Sequence, residues 1–320
     1  MKIAVVAATG RIGSKVTHSL LKAGHQVRAL SRGGPALERL VKAGAEPFLA
    51  SFDTGIGNLS DAFRGVDAAF LMVRTDWSNV QKHYPVVVRR FVDALKGSSV
   101  KFAVSLSGPG GDIEGSTGHF ADFYNLEQAL NQLEDIKLVH LRAGWFMENI
   151  AIWTDGIARY GRLAWGLEPN LKTPWVTTEN VADMAAAQIL NPTNAYRIVH
   201  EVSSEDLTMT ELAAMIGREI GRPVEYRFVD RTRKDIQAEY LQRFGTVARW
   251  ADDNKSFAAL NERRVRFHGG YSPMSTTMGA FLRDVWKQDY LKAFAAVDEP
   301  GHETFETWTA KEVLDFSSFP

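Results

Sequence analysis

Short apolar runs alternate with amphipathic segments through roughly the first half of the chain. Lys2 to Ala7 is rich in Ile and Val and predicts a buried strand, whereas Arg11 to Ala23 has apolar side chains at helical spacing and predicts a helix. The alternation continues with strands predicted at 26–31, 46–50, 67–73, 100–106 and 137–142, and helices at 35–44, 59–64, 80–96 and 120–133. Such spacing predicts a doubly wound α/β domain, with a parallel sheet covered by helices on both faces.

The regular alternation stops after Asn149, which indicates a second, smaller and mostly helical domain. A helix at 178–190 and a strand at 196–202 are expected to return to the main sheet. Thr208 and Glu211 have the spacing of a capping box, a strand is predicted at 223–229, and the apolar tail from residue 298 is expected to pack on the body or on a second subunit. The predicted domains are residues 1–150 with 173–202 returning to them, and 151–172 with 203–320.

The stretch VVAATGRIG, residues 5–13, connects the first strand to the first helix, where α/β domains bind phosphate. Gly10 lets the backbone approach a pyrophosphate, and Gly13 lets the helix pack closely on the sheet. Ala7 stands where the usual fingerprint has its first glycine, and we expect it to be tolerated with a negative φ. The alternative is a tight turn that binds no ligand.

The residues around this turn favour NADP(H) over NAD(H). An NAD site usually has an acidic residue at the end of the second strand, but no Asp or Glu occurs from Met1 to Leu37. Ser31 and Arg32 end that strand instead, and a hydroxyl beside a guanidinium suits the 2′-phosphate. Alternatively, Arg32 is only a solvated loop residue.

Composition excludes several other classes of function. A net charge of −1 gives no attraction for nucleic acid or anionic membrane, and the absence of cysteine excludes disulfides and thiol catalysis. The eight histidines show no metal-ligand spacing, and GxSxG is absent, so we expect neither a metal centre nor a hydrolase elbow. The strand predicted directly at Met1 leaves no room for a signal peptide, and no apolar run approaches the ~20 residues of a membrane span. We therefore expect a soluble, cytoplasmic protein.

Several motifs, in order and spacing, resemble the NmrA-like branch of the atypical short-chain dehydrogenase/reductases. They are AATGRIG, ALSR, GVDAAFLM, AVSLSGPGG, LVHLRAGWFMENI and LTMTELAAMIGREIGRPVEY. The resemblance runs from residue 1 to about residue 230 and implies a Rossmann-type NADP(H)-binding domain followed by a substrate domain.

The resemblance also implies roles for individual residues. The turn, including Ala7, would wrap the phosphates, the end of the second strand would take the adenosine phosphate, and an Asp after the third strand would lie near the adenine. Two strand-end residues would line the cofactor cleft, and three residues after the sixth strand would lie near nicotinamide and substrate. The residues that would wrap the phosphates are Thr9, Gly10, Arg11, Ile12 and Gly13, and those for the adenosine phosphate are Ser31 and Arg32. The residue near the adenine is Asp53, and those lining the cleft are Val73 and Ser105. The residues near nicotinamide and substrate are Trp145, Phe146 and Asn149.

The catalytic machinery expected of short-chain reductases is incomplete. These enzymes pair a Tyr with a Lys four residues later, but Tyr124 is followed at that spacing by Gln128. The slot for the branch's lysine aligns with Phe123, and no Lys or Arg occurs from Phe102 to Ile136. The candidate acids are His119 and Tyr124, with Ser107 as a hydrogen-bonding partner, although each is also compatible with a structural role.

Two functions remain open. One is an NADPH-dependent reductase of a small quinone, dye or imine, since an electron-poor acceptor needs less help from a protein acid than a ketone does. A cluster of aromatic residues, Trp145, Phe146, Trp153, Tyr160, Trp165 and Trp175, would wall its acceptor pocket or would be ordinary core. The other is a non-catalytic NADP(H)-binding redox sensor, which the missing lysine favours. A homodimer is compatible with either.

Overall fold

A computed structural model describes residues 1–74, 80–114, 118–192, 196–229 and 276–295, with only the backbone described at 80–82, 118 and 119. Contacts divide the chain into two compact units, Met1–Ala143 with Thr178–Val202 and Gly144–Thr177 with Ser203–Pro320. The predicted domains had placed 144–150 and 173–177 in the first domain, whereas the contacts place both segments in the second unit.

The first unit is built on a sheet of seven strands that all run parallel. With strands numbered along the whole chain, they are β1 (Lys2–Val5), β2 (Gln26–Ser31), β3 (Glu46–Leu49), β4 (Ala68–Leu71), β5 (Phe102–Ser107), β6 (Lys137–Ala143) and β10 (Arg197–Val202). Their order is β10-β6-β5-β4-β1-β2-β3, so the winding reverses between β1 and β4. The predicted doubly wound fold is confirmed, and this switch point is where such sheets bind ligands.

The described residues of this unit form five α-helices: α1 (Arg11–Lys22), α2 (Pro35–Lys42), α3 (Val80–Leu95), α4 (Gly118–Asn131) and α6 (Thr178–Leu190). Ile12, Val16 and Leu20 recur at helical spacing on α1 and are buried, which is why this segment packs as a helix. The helix predicted at 59–64 is only a three-residue 3₁₀ turn, Leu59–Asp61. The segment 178–202 returns to the sheet as predicted, since β10 pairs with β6.

The described part of the second unit contains two small sheets, and periodicity did not predict most of their strands. One has the order β11-β9-β7, and the other is the parallel pair β12-β8. Their strands are β7 (Trp145–Phe146), β8 (Arg162–Trp165), β9 (Thr173–Val176), β11 (Glu205–Leu207) and β12 (Glu225–Phe228). Strands of two to four residues are too short to show an alternating pattern, and only the segment containing β12 was predicted.

The described part of this unit also contains helices. A 3₁₀ helix at Met147–Trp153 precedes α5 (Thr154–Tyr160), and α7 (Met209–Ile220) follows the predicted capping box. α8 (Met278–Phe281) continues through a π-helical turn into α9 (Lys287–Ala295). The capping box is confirmed: the Glu211 N–H donates to the Thr208 hydroxyl over 3.0 Å, and the Thr208 N–H donates to the Glu211 carboxylate over 2.8 Å. No helix in the described ranges has the length and apolar character to cross a membrane. The predicted tail packing lies outside the described residues.

Candidate functional site

The turn between β1 and α1 leaves a free helix N-terminus at the carboxyl edge of the sheet. The Gly10 N–H donates to the Ala7 carbonyl over 2.9 Å, and the Ala8 N–H donates to Leu30 of β2 over 3.0 Å. Gly10 caps α1 in an extended conformation without a side-chain cap, and the first turn contains no acidic residue. The first N–H groups of a helix have no acceptor within it, so this end suits a phosphate group.

The φ of Ala7 is positive, although a negative φ was expected. Its φ is +52°, and it is the sole non-glycine residue with positive φ in the part of the chain that the structure describes. The chain must reverse here while the Ala7 carbonyl accepts from Gly10, which requires the left-handed conformation that glycine normally supplies. Alanine adopts this conformation at a cost of about 1–2 kcal/mol, so the missing first glycine is a strained substitution.

Gly13 occupies a position where no side chain fits. A Cβ there would overlap the Ala7 carbonyl oxygen and would lie 2.9 Å from the Ala7 carbonyl carbon. At Gly10 the tightest contact would be 3.2 Å, again to the Ala7 oxygen. The close packing of α1 against the turn therefore depends on Gly13 much more than on Gly10.

Two hydroxyl groups and two exposed arginine side chains lie near this turn, at the edge of the sheet. The Ser31 Oγ at the end of β2 lies 3.4 Å from the Thr9 Oγ1 and accepts from the Gly33 N–H over 3.1 Å. The exposed guanidinium groups of Arg11 and Arg32 make no hydrogen bond or ion pair with another described residue. This arrangement has the donors and charge that a phosphate monoester requires.

Asp53, after β3, is already engaged by basic side chains. Its carboxylate lies 3.6 Å from the Arg74 Nε and 3.6 Å from the His83 Nε2. Arg90 of α3 donates to the carbonyl groups of Phe52 and Asp53 over 2.6 and 2.8 Å. Sequence reasoning missed these three basic residues, although the position of Arg74 just after a buried strand was an available signal. Val73, predicted for the cofactor cleft, is 9% exposed and belongs to the hydrophobic core beside α3.

Ser105 was predicted to line the cofactor cleft at the end of its strand. It is fully buried, and its Oγ lies 2.6 Å from the His140 Nδ1 on the neighbouring strand β6. The His140 Nε2 lies 3.0 Å from the Asn131 Oδ1 on α4. Burial, helped by the positive charges of Arg142 and Arg197 and opposed by Glu127, lowers the pKa of His140 to about 4. A neutral His140 thus accepts from Ser105 and donates to Asn131, so the Ser105 hydroxyl faces the interior under α4.

A second buried network, which sequence reasoning missed, lies at the end of β5. The Ser107 hydroxyl donates to the Glu127 Oε1 over 2.6 Å, and Arg142 of β6 donates to both Glu127 oxygens over 2.9 and 2.6 Å. The Arg142 Nη1 also lies 3.1 Å from the Asp112 Oδ1. Residues 102–136 contain no Lys or Arg, and Arg142 of β6 therefore supplies the positive charge that pairs with Glu127. The sequence signal for this network was Glu127, an acidic residue on the apolar face of α4.

The three catalytic candidates are not assembled into a proton donor by the described side chains. Ser107 is 3% exposed and donates its proton to Glu127. Tyr124 is half-buried, and its hydroxyl makes no hydrogen bond within the described ranges. His119 lies on α4, but its side chain lies outside the described residues. The buried Tyr84 is no substitute, because burial and nearby carboxylates raise the pKa of its phenol far above the usual range.

Most of the aromatic cluster is core of the second unit. Four tryptophans form a closed ring of edge-to-face contacts, with centroids 5.5 to 6.5 Å apart: Trp145, Trp165, Trp153 and Trp175. Three of them are almost fully buried, at 2% exposure for Trp153, 5% for Trp165 and 0% for Trp175. The predicted substrate residues Trp145, Phe146 and Asn149 are half-buried. Among the described side chains, no group of acidic residues and histidines could hold a metal ion.

The chain is similar to known proteins over most of its length. A family model described as the NmrA-like family matches residues 1–294. The NAD(P)H azoreductase of Xenophilus azovorans is 25% identical over 230 residues, covering 70% of this chain and 76% of that protein.

Two solved structures share the fold. The NADPH-dependent quinone oxidoreductase of Escherichia coli, complexed with NADPH, has a TM-score of 0.71 at 22% identity, covering 89% of this chain and 99% of that one. The negative transcriptional regulator NmrA, complexed with NADP, has a TM-score of 0.64 at 18% identity, covering 93% and 98%.

Proposed function

The chain belongs to the NmrA-like family, and on that basis we propose that it is an NADPH-dependent oxidoreductase that reduces a small, electron-poor acceptor. One observation carries the proposal: Thr9, Ser31 and the unpaired Arg32 lie at the carboxyl edge of β1 and β2, beside a helix N-terminus without acidic residues. That edge is where doubly wound sheets bind dinucleotides.

The residues of the first unit fit NADP(H) better than NAD(H). Thr9 to Gly13 would hold the pyrophosphate through backbone N–H groups, and Arg11 would add a positive charge. Ser31 and Arg32 would hold the 2′-phosphate, and Asp53 would lie near the adenine. An NAD site would instead need an acidic residue at the end of β2, and the residue there is Ser31. The bound cofactor would supply hydride.

The acceptor class follows from the missing proton donor. A ketone becomes an alkoxide as it accepts hydride and needs an acid close by, whereas a quinone, a cationic dye or an imine already attracts electrons. Ser107 has committed its proton to Glu127, and no lysine lies on α4. An azoreductase and a quinone oxidoreductase among similar proteins support this class. Trp145, Phe146 and Asn149 stay the proposed substrate residues, and Tyr124 and His119 stay the candidate acids.

A second candidate function is a redox sensor that binds NADP(H) and catalyses nothing. The structural similarity to a transcriptional regulator favours it, as does the same lack of a committed proton donor. A sensor would distinguish NADPH from NADP⁺ in its affinity for a partner, whereas a reductase would consume NADPH.

The decisive experiment measures both properties. We would titrate the protein with NADPH, NADP⁺ and NADH, and then follow the absorbance band of reduced nicotinamide with a panel of quinones, cationic dyes and imines. Turnover with one acceptor class supports the reductase. Tight NADPH binding without consumption by any acceptor favours the sensor, and equal affinity for NADH and NADPH contradicts the cofactor assignment.

A further inference from the structure

The loop at residues 108–114 follows β5 directly, at the carboxyl edge of the sheet. In the strand order, β5 lies on the opposite side of β1 from β2. If the adenosine phosphate is held at the end of β2, the nicotinamide half of a dinucleotide extends over β4 and β5. The 108–114 loop then lies beside the reacting end of the cofactor.

Three glycines allow this loop to pack closely against α4. A Cβ at Gly108 would overlap the ring of Phe123, and one at Gly110, whose φ is +79°, would overlap Phe120. A Cβ at Gly111 would overlap the Glu127 carboxylate and would lie 3.0 Å from the Ser107 Oγ. The loop therefore covers Ser107, and no side chain fits between the loop and the helix at these three positions.

The Arg142 guanidinium contacts both this loop and α4. Arg142 donates two hydrogen bonds to Glu127 of α4, and its Nη1 lies 3.1 Å from the Asp112 carboxylate in the loop. The side chains of Arg142 and Glu127 are 9% and 3% exposed, whereas that of Asp112 is 41% exposed. The planar fork of arginine suits this site, because Nε and Nη2 donate to Glu127 while Nη1 faces Asp112, and lysine has one nitrogen in place of these three.

We propose that Arg142 is a positioning residue: it fixes the 108–114 loop through Asp112 and Glu127, and so orients the nicotinamide end of the cofactor without touching it. The inference rests on the proposed function for its effect on catalysis. Its effect on the loop and on bound nicotinamide does not require turnover.

The test compares Arg142→Met and Arg142→Lys with a matched control, Arg197→Met. Arg197 lies on β10 and donates to the carbonyl groups of Ile136 and Leu133 over 2.6 and 2.8 Å, ahead of β6 and thus at the opposite edge of the sheet. Both arginines make several hydrogen bonds, so both substitutions should lower stability. Asp112→Asn is a second variant for the case in which Arg142→Met fails to fold, because the Asp112 side chain is 41% exposed and removal of its charge leaves Arg142 paired with Glu127.

Hydrogen exchange and NADPH emission report on the loop and on the nicotinamide. We expect amide exchange at residues 110–113 to accelerate about tenfold or more in Arg142→Met and in Asp112→Asn, but not in Arg197→Met. The fluorescence emission of bound NADPH should shift in the same two variants. Unchanged exchange in both, or equal acceleration in Arg197→Met, overturns the inference.

Kinetics complete the test. With an acceptor that the wild type reduces, we expect Arg142→Met to lower kcat about tenfold to a hundredfold, because misplacement of reacting groups by ~1 Å has such an effect. The Kd for NADPH should change less than about threefold, since the adenosine phosphate supplies most of the charged contacts. Arg142→Lys should recover little. A wild type that reduces no acceptor defeats the proposed function alone, and exchange and emission then decide on Arg142.

Discussion

His140 makes the stability of the first unit dependent on pH in a way that the structure lets us calculate. The imidazole is 1% exposed, accepts from Ser105 and donates to Asn131, and burial lowers its pKa from 6.5 to about 4. In the unfolded chain the pKa returns to the ordinary value. Because the unfolded chain then binds more protons between pH 6.5 and pH 4, the free energy of unfolding falls as the pH falls through this range.

The magnitude follows from these two pKa values. Proton linkage with one site gives a loss of about 2 kcal/mol between about pH 7.5 and about pH 5, and of about 3 kcal/mol once the pH is below both values. Replacing His140 with Gln removes the titrating group and retains a side chain that can hydrogen-bond to Ser105. We therefore expect His140→Gln to be less stable than the wild type near neutral pH and to lose about 2 kcal/mol less on acidification.

The assay is urea-induced unfolding at several pH values, with the difference in pH dependence between variant and wild type as the measured quantity. Carboxylates that titrate in both proteins cancel in this difference. His18→Gln is the matched control, because it makes the same replacement at an exposed histidine on α1. The reasoning is refuted if wild type and His140→Gln lose the same stability, within about 0.5 kcal/mol, over this range.

Three further predictions concern the cofactor turn. Gly13→Ala should lower stability by about 1–3 kcal/mol and abolish NADPH binding, because its Cβ overlaps the Ala7 carbonyl, whereas Gly10→Ala should fold normally; thermal unfolding and NADPH titration compare the two. Ala7→Gly should raise the unfolding free energy by up to about 1 kcal/mol, since relief of the positive φ exceeds the extra chain entropy, and a lower stability in urea would contradict the strain. Arg32→Ala should weaken NADPH binding about tenfold to a hundredfold and leave NADH unchanged, with the exposed Arg39→Ala as control, and equal weakening of both cofactors in a binding titration would reject the 2′-phosphate assignment.

Much of the candidate site was visible in the sequence because it depends on short-range features. The run from β1 through the glycine turn to α1 is encoded within 22 residues, and the absence of acidic residues up to Leu37 can be read directly. The limits of β2 were predicted to the residue, and those of α1 within one residue. Hydrophobic periodicity identifies such elements because each buries one face of its own.

The sequence by itself determined the doubly wound class, the position of the turn and the lack of a lysine on α4. Tertiary structure alone decided that Ser105 is hydrogen-bonded to His140 and that Arg142 is hydrogen-bonded to Glu127. The physical reason is that period and turn chemistry are local, whereas these contacts join residues that are 15 or 35 positions apart on different elements. Their meeting depends on the order and register of β5 and β6, which no single segment of the sequence encodes.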